Sequence, residues 1–335
     1  MRSVHDGSRG HSTRHRWFAL VAALLTAVTV LAQPPDKYPS KPMHWILAYA
    51  PGGITDRLAR DYAAQLQVSL GQSVVVENRA GGNSLPGTLA ALAAPADGYT
   101  LFTIAPPLLT GPSLYPGGRW PDDPLAAFTP VSMFIKVTNA LVVPAHSPYR
   151  TIQELIADAK AKGKPVLFGT GGVGAAHHLA ALQFGVLTGI EMSSVGYKGS
   201  GPLITDLLGG HIGLVSDTLS NWVAHAKSGK VRVLLVLGPT RSKLLPDVPS
   251  MADLGHPTFE GAGWQGLGVR AGTPRAVVDR LAAEVQRITR SPEFKRYEEN
   301  GDELVGGTPE QFAEHIRSEG NRSKNIIERF GLKPD

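Results

Sequence analysis

The stretch "HWILAYAPGGITDRLAR", residues 44–60, decides the fold. His44 to Ala50 is an apolar run of strand length, and Pro51-Gly52-Gly53 stops it. From Ile54 the spacing changes: Ile54, Leu58, Tyr62, Leu66 and Leu70 recur at four-residue steps, which puts them on one face of a helix. Gly71 ends that helix, and "SVVVEN" (73–78) is the next strand. Strand, glycine turn, helix and strand in this order make the βαβ unit of a parallel sheet covered by helices.

The same alternation runs outward. "SLPGTLAALAAPADG" predicts a short helix and "YTLFTIA" (99–105) a strand. The proline- and glycine-rich segment 106–124 predicts a long surface loop. "FTPVSMFIKVTNALVVPAHSP" is extended and apolar throughout, as a chain crossing between domains would be. A second series follows: helix 151–162, strand "PVLFGT", helix 175–188, strand "MSSVGY", helix 200–208, strand "HIGLVSD", helix 219–227 and strand "VRVLLVLG". In the tail, Thr273-Pro274, Ser291-Pro292 and Thr308-Pro309 each predict a hydroxyl N-cap followed by proline at the first helical position. The expected organisation is one domain from 38–138 plus 258–335 and another from 139–257, each with a mainly parallel sheet.

The chain has 335 residues, 42% of them hydrophobic, which suffices for two cores. Residues 1–32 stand apart. Arg2, Arg9, Arg14 and Arg16 precede the apolar run from Trp17 to Ala32, which is shorter than the roughly 20 residues of a membrane span. This is the pattern of a secretory signal peptide cut after Ala32. The leader holds four of the 33 basic residues and one of the 28 acidic ones, so its removal lowers the net charge from +5 to +2. A nucleic-acid role loses its main support with it. The metal-like spacing of His11 and His15 belongs to the same leader. With no cysteine there is no disulfide, no thiolate metal site and no lipidated thiol. The expected location is the periplasm.

Two glycine-rich junctions between strand and helix carry the chemistry. One is Pro51-Gly52-Gly53-Ile54-Thr55-Asp56; the other is "FGTGGVGAAHH", with Thr170, Gly171, Gly172, Gly174, Ala175 and His178. A helix begins with N–H groups that lack partners, and its dipole makes that end partly positive. Glycines ahead of it let an anion reach the backbone, so a carboxylate or phosphate can be held there without arginine. Gly169-x-Gly171-x-x-Gly174 also has the spacing of a dinucleotide fingerprint, with Glu191 as its acid, but Glu191 precedes the next strand where it should end it. Adjacent His177 and His178 point about 100° apart on a helix and cannot share a metal. Asp217 either faces the cleft or caps a helix; Lys198 is either a cleft cation or a loop charge. Trp222 and Trp264 are expected in packing. No catalytic set, cofactor or metal site is expected.

Taken in order, "YPSKPMHWILAYAPGGITDRLAR", "LGQSVVVENRAGGN", "DGYTLF", "YKGSGPLITDLLGGHI", "LPDVPSMADLG" and "GTPEQF" resemble the substrate-binding receptors of tripartite tricarboxylate transporters, the Bug receptors, from about Tyr38 to Asp335. The resemblance implies a two-domain Venus-flytrap fold of the type II-like periplasmic binding proteins, closing on a small carboxylate held through backbone amides and water. It implies a monomer that serves membrane permease subunits, with no nucleic acid bound. The two junctions would form the two walls, and the expected ligand-binding set is Pro51, Gly52, Gly53, Ile54, Thr55, Asp56, Thr170, Gly171, Gly172, Gly174, Ala175, His178 and Asp217. Departures are the short "RAGGNSLPG" segment, Ala175 where a hydroxyl is common, and Val269-Arg270 where alanine-proline is usual. Two other readings stay open: an exported NAD-dependent oxidoreductase, and a ligand-sensing module for a signalling partner. Asp56 has the wrong sign for the simplest anion site; it either caps its helix, orders water or accepts a donor group of the ligand.

Overall fold

The computed structural model describes residues 38–331, so the leader and its cleavage point lie outside the described residues. The strands are β1 (Met43–Leu47), β2 (Val74–Asn78), β3 (Thr100–Ile104), β4 (Phe128–Val137), β5 (Asn139–Pro144), β6 (Val166–Thr170), β7 (Met192–Gly196), β8 (Val215–Thr218), β9 (Val231–Leu237), β10 (Gly263–Arg270) and β11 (Glu303–Leu304). The α-helices are α1 (Ile54–Leu70), α2 (Leu85–Leu92), α3 (Pro107–Leu114), α4 (Pro124–Ala127), α5 (Ile152–Lys162), α6 (Ala176–Thr188), α7 (Ser200–Leu208), α8 (Val223–Lys227), α9 (Arg275–Thr289), α10 (Lys295–Glu299) and α11 (Pro309–Phe330).

Two mixed sheets result, each flanked by helices. One has the order β11-β4-β10-β3-β1-β2 and the other β7-β6-β8-β5-β9. We call each sheet with its helices a lobe. The chain crosses from the first sheet to the second between β4 and β5, separated only by Thr138, and returns between β9 and β10. Pairing is parallel within β2-β1-β3 and β7-β6-β8, where helices make the crossovers. It is antiparallel wherever β4, β5, β9, β10 or β11 takes part. The expected mainly parallel sheets thus become half antiparallel. Parallel neighbours need a helical crossover, and the strands that carry the chain between lobes have none.

The helix read from residues 54–70 forms as its pattern requires. Ile54, Leu58, Tyr62, Leu66 and Leu70 are all buried, and Gly71 closes the helix in the left-handed conformation. Tyr62 anchors that face: its ring packs on Phe294 and Phe134, and its hydroxyl shares a 2.6 Å hydrogen bond with Thr289. Thr308 caps α11 in a reciprocal box with Gln311. The other proline caps behave differently. Pro274 itself stands at the N-cap of α9, because the Thr273 hydroxyl donates back to the Arg270 carbonyl at 2.7 Å. Ser291 precedes a 3-10 turn and makes no cap bond. Segment 106–124 is not one long loop, since it contains α3 despite Pro112 inside that helix. Burial of Leu108, Thr110 and Leu114 and the fit of Trp120 over Gly111 outweigh the local cost of the proline.

The lobes meet through a few direct bonds. The Ala50 N–H donates to the Lys198 carbonyl at 2.7 Å, Arg57 Nη2 to Asn221 Oδ1 at 3.0 Å, and Thr110 Oγ1 to the Gly174 carbonyl at 2.9 Å. Near the Arg57 contact, Asp302 is only 6% exposed and its Oδ2 has no hydrogen-bond partner. Burial pushes its carboxyl up to about 7, against the opposing pulls of the Ser220 hydroxyl and the Arg57 guanidinium. A raised folded-state value means that its contribution to stability is complete below its ordinary value of 3.8 and is lost as pH rises through about 7. Asp302→Asn is therefore expected to raise the melting temperature, by an amount that grows between pH 5 and pH 8 and then levels off. A pH-independent difference in melting scans would contradict this account.

Candidate functional site

Three helices begin at one place. The N-termini of α1, of α6 and of α7 converge on a cavity of about 40 Å³ between the lobes. Gly53, Ile54 and Thr55 line it from the first lobe; Gly171, Ala175, Ala176, His177 and Ser200 line it from the second. The first bond inside α1 runs from the Arg57 N–H to the Gly53 carbonyl, and that inside α6 from the Leu179 N–H to the Ala175 carbonyl. The earlier N–H groups of each helix therefore have no helical partner. No charged side chain lines the cavity. At roughly 10–15 Å³ per water, there is room for about three waters or for a carboxylate head group.

The double glycine has a sharper explanation than a simple turn. Gly52 sits at φ +94°, which side chains rarely tolerate, and its N–H donates to Asp56 Oδ2 at 3.2 Å. Gly53 leaves space for Ser200, whose Cβ would lie 3.2 Å from a Cβ at position 53. Across the gap, a Cβ on Gly201 would lie 2.2 Å from the Pro51 carbonyl oxygen. The glycines of both lobes let one backbone lie against the other.

Asp56 does not face the cavity. It accepts from Gly52 N–H, Arg60 Nε at 3.0 Å and Asn78 Nδ2 at 2.9 Å. Burial would raise its carboxyl, but Arg60, Asn78 and Gly52 outweigh that and hold it below its ordinary value. Its charge is thus spent on shaping the loop, which answers the problem of sign. Thr55 accepts from Gln265 Nε2 at 2.7 Å, and the Oε1 of that amide is buried in the cavity wall without a partner.

In the second lobe, His177 lines the cavity and His178 does not. His178 is fully buried behind the loop, accepting from Gly174 N–H at 3.1 Å and sharing a 3.0 Å bond with Ser194 Oγ. Burial, with His177 beside it, takes its imidazole down to about 3, so it stays neutral. His177 Nδ1 lies 2.7 Å from Thr170 Oγ1 and its Nε2 lies 4.0 Å from Asp217 Oδ1. Burial lowers its value too, outweighing Asp217. Asp217 is wholly buried beneath the wall. It accepts from Ser200 Oγ at 2.7 Å, Asn221 Nδ2 at 3.1 Å and Trp222 Nε1 at 3.0 Å.

Of the expected ligand-binding set, Gly53, Ile54, Thr55, Gly171 and Ala175 line the cavity. Pro51, Gly52, Asp56, Thr170, Gly174, His178 and Asp217 do not line it, and Gly172 lines a neighbouring chamber. Sequence reasoning missed Tyr49, Asn139, Ala176, His177, Ser200 and Gln265, and it expected Trp264 only in packing, whereas Trp264 also forms wall. The signal for Ser200 was present: Gly199-Ser200-Gly201 is a third glycine junction between a strand and a helix. Glu191 is exposed at the start of β7, the wrong end for a ribose.

A neutral cavity between two α/β lobes, floored by helix N-termini, is an arrangement suited to holding a small solute. A family model described as tripartite tricarboxylate transporter family receptor matches residues 58–332, and the chain belongs to that family. Protein BugT of Bordetella pertussis is 35% identical over 318 residues, 93% of this chain and 97% of BugT. Among solved structures, an R. palustris protein with adipate superposes with a TM-score of 0.82 at 31% identity, covering 89% of this chain and all of its own. MatC from Rhodopseudomonas palustris with bound malate gives 0.79 at 25% identity, covering 87% of this chain and 100% of its own.

Proposed function

We propose that this chain captures a small carboxylate in the cleft, in the periplasm, and delivers it as a monomer to the membrane permease subunits of a tripartite tricarboxylate transporter. The observation that carries the reading is the convergence of three helix N-termini on a cavity with no charged side chain. Such a site favours an anion through N–H groups and dipoles. The relatives with adipate and with malate support a carboxylate. Gly53, Thr55, Gly171, Ala176, His177 and Ser200 are the proposed contacts, with Asp56 and Asp217 in supporting positions. Residues 1–32 are the proposed leader, cut after Ala32, and 38–138 with 258–335 and 139–257 the proposed domains. Ligand bridging both lobes stabilises the closed form, and closure is the signal a permease can read.

Native mass spectrometry of the purified chain, followed by thermal-shift measurements with mono- and dicarboxylates, tests this. A ligand at a hundred times its Kd adds about 2.7 kcal/mol, which such scans resolve readily. Silence with every carboxylate, together with a co-purifying nucleotide, would sink the proposal.

A further inference from the structure

Asp302 belongs to the first lobe, in the turn between α10 and β11, and residues of the second lobe meet it on two sides. On one side it shares a chamber of about 440 Å³ with Ser220, from the turn that follows β8. On the other it shares a chamber of about 570 Å³ with Leu244, which packs against the second-lobe core. A Cβ on the adjoining Gly301 would lie 3.3 Å from Leu244 Cδ1. Asp302 thus stands at a seam between the lobes, and it is no part of the cavity wall. Its Oδ2 is buried without a hydrogen-bond partner, and so is Ser220 Oγ across the seam. Buried orphans of this kind are rare enough to call for a missing partner.

The surrounding charges narrow what that partner is. In the first chamber Arg57 is engaged with the Gly52 carbonyl and Asn221, and Arg60 with Asp56 and Asn78. Arg296 and the Tyr297 hydroxyl both hold Asp61. Three guanidinium groups therefore oppose a metal ion or an organic cation there, and Asp302 itself opposes an anion. In the second chamber Lys136 pairs with Glu303 at 3.6 Å and Arg241 with Asp253 at 2.9 Å. Lys243, Glu298 and Glu299 are exposed there, where solvent and salt screen them. None of these groups pairs with Asp302. A proton is the cation that fits, because it neutralises the buried carboxylate and makes Oδ2 a donor toward Ser220 Oγ.

We propose that Asp302 is a proton site linked to lobe closure: the lobes close on the protonated carboxyl, whose O–H donates to Ser220 Oγ, and open as the proton leaves to solvent. The inference takes the movement of the lobes from the proposed function and adds to it a second, protonic ligand. In the closed form burial pushes the carboxyl up to about 7. Opening withdraws Ser220 and Leu244, readmits water and lets the value fall toward its ordinary 3.8. The closed state thus gains most below the open-form value. That gain weakens by up to about tenfold per pH unit as the pH climbs toward 7, and it is gone above.

The chain has no cysteine, so Val68→Cys on α1 and Leu167→Cys on β6, both exposed and on opposite lobes, will carry a clean pair of spin labels. Double electron–electron resonance on the unliganded chain, at about pH 5.5 and about pH 8, reads the ratio of closed to open forms. The ratio is expected to fall roughly tenfold or more at the higher pH. Asp302→Asn, which keeps the shape of the protonated carboxyl, should hold the acid-form ratio at both. A wild-type ratio that ignores pH overturns the proton site. A change that survives in Asp302→Asn overturns it too, since another group then titrates. Either result leaves the carboxylate receptor standing, because the thermal-shift screen reads that without reference to Asp302.

Discussion

Gly201→Ala is expected to weaken ligand binding by a hundredfold or more while leaving the unliganded chain as stable as before. The added Cβ would lie 2.2 Å from the Pro51 carbonyl oxygen, a backbone atom that no rotamer change can move. Gly201 lies in the first turn of α7, where alanine suits a helix better than glycine, so the second lobe loses nothing by itself. The clash exists only when the lobes are together, and its cost falls on the closed state alone. A hundredfold change in Kd corresponds to about 2.7 kcal/mol, a modest figure for an overlap between backbones. Calorimetry for affinity and a melting scan of the unliganded chain separate the two effects. An affinity within threefold of wild type would mean that the Pro51–Gly201 contact plays no part in closure. Gly53→Val should act in the same direction with a smaller effect, because its obstacle is the Ser200 side chain.

This changes what the glycines in "AYAPGGITDRLAR" are for. Anion access to a helix N-terminus explains why small residues are suitable there, but it does not explain why they recur at 199 and 201 in the other lobe. Contact between backbones explains both. The Ala50 N–H reaches the Lys198 carbonyl and Gly201 abuts Pro51. In the proposed function these loops are also the closure interface, so a ligand that bridges them would act directly on the open–closed equilibrium.

The order of elements was legible because period and punctuation agreed: four-residue spacing from Ile54, a glycine stop at 71, and short β-branched runs between helices. Strand direction was not, since β4 and β10 owe their antiparallel pairing to the return of the chain between lobes, a matter of connection and not of local pattern. Part of the first-lobe wall of the cavity, Gly53 to Thr55, was readable from one junction. The choice between His177 and His178 was not, because adjacent helical positions differ by a rotation of about 100° that only the helix's docking fixes. Gln265 and Asn139 were invisible for another reason. They stand on the strands β10 and β5, beside the points where the chain passes between the lobes, and nothing in their neighbours' sequence marks the cavity. Asp56 had the wrong charge for a contact, and the structure resolves this by turning it away toward Arg60 and Asn78.

Asp217→Ala should be among the most destabilising single changes at the site, although the residue touches no part of the cavity. Its carboxylate is completely buried and accepts from Ser200, Asn221 and Trp222 together. Alanine would strip the partner from the buried Trp222 indole N–H and the Asn221 amide at once. Each orphaned donor costs about 1–3 kcal/mol, so a total of roughly 3–5 kcal/mol, or a fall of about 10 °C in melting temperature, is expected. Binding should fail as well, because Ser200 loses the bond that fixes it at the start of α7 and His177 loses the carboxylate behind its Nε2. Asp217→Asn separates charge from shape. It keeps the volume and one acceptor but turns an NH₂ toward one of the donors, so it should lose less stability than alanine and still misplace Ser200 or Trp222. A melting temperature within 2 °C of wild type for Asp217→Ala would show that the network beneath the wall is dispensable. A large fall in stability with unchanged affinity in the folded fraction would show that it supports the fold and not the site.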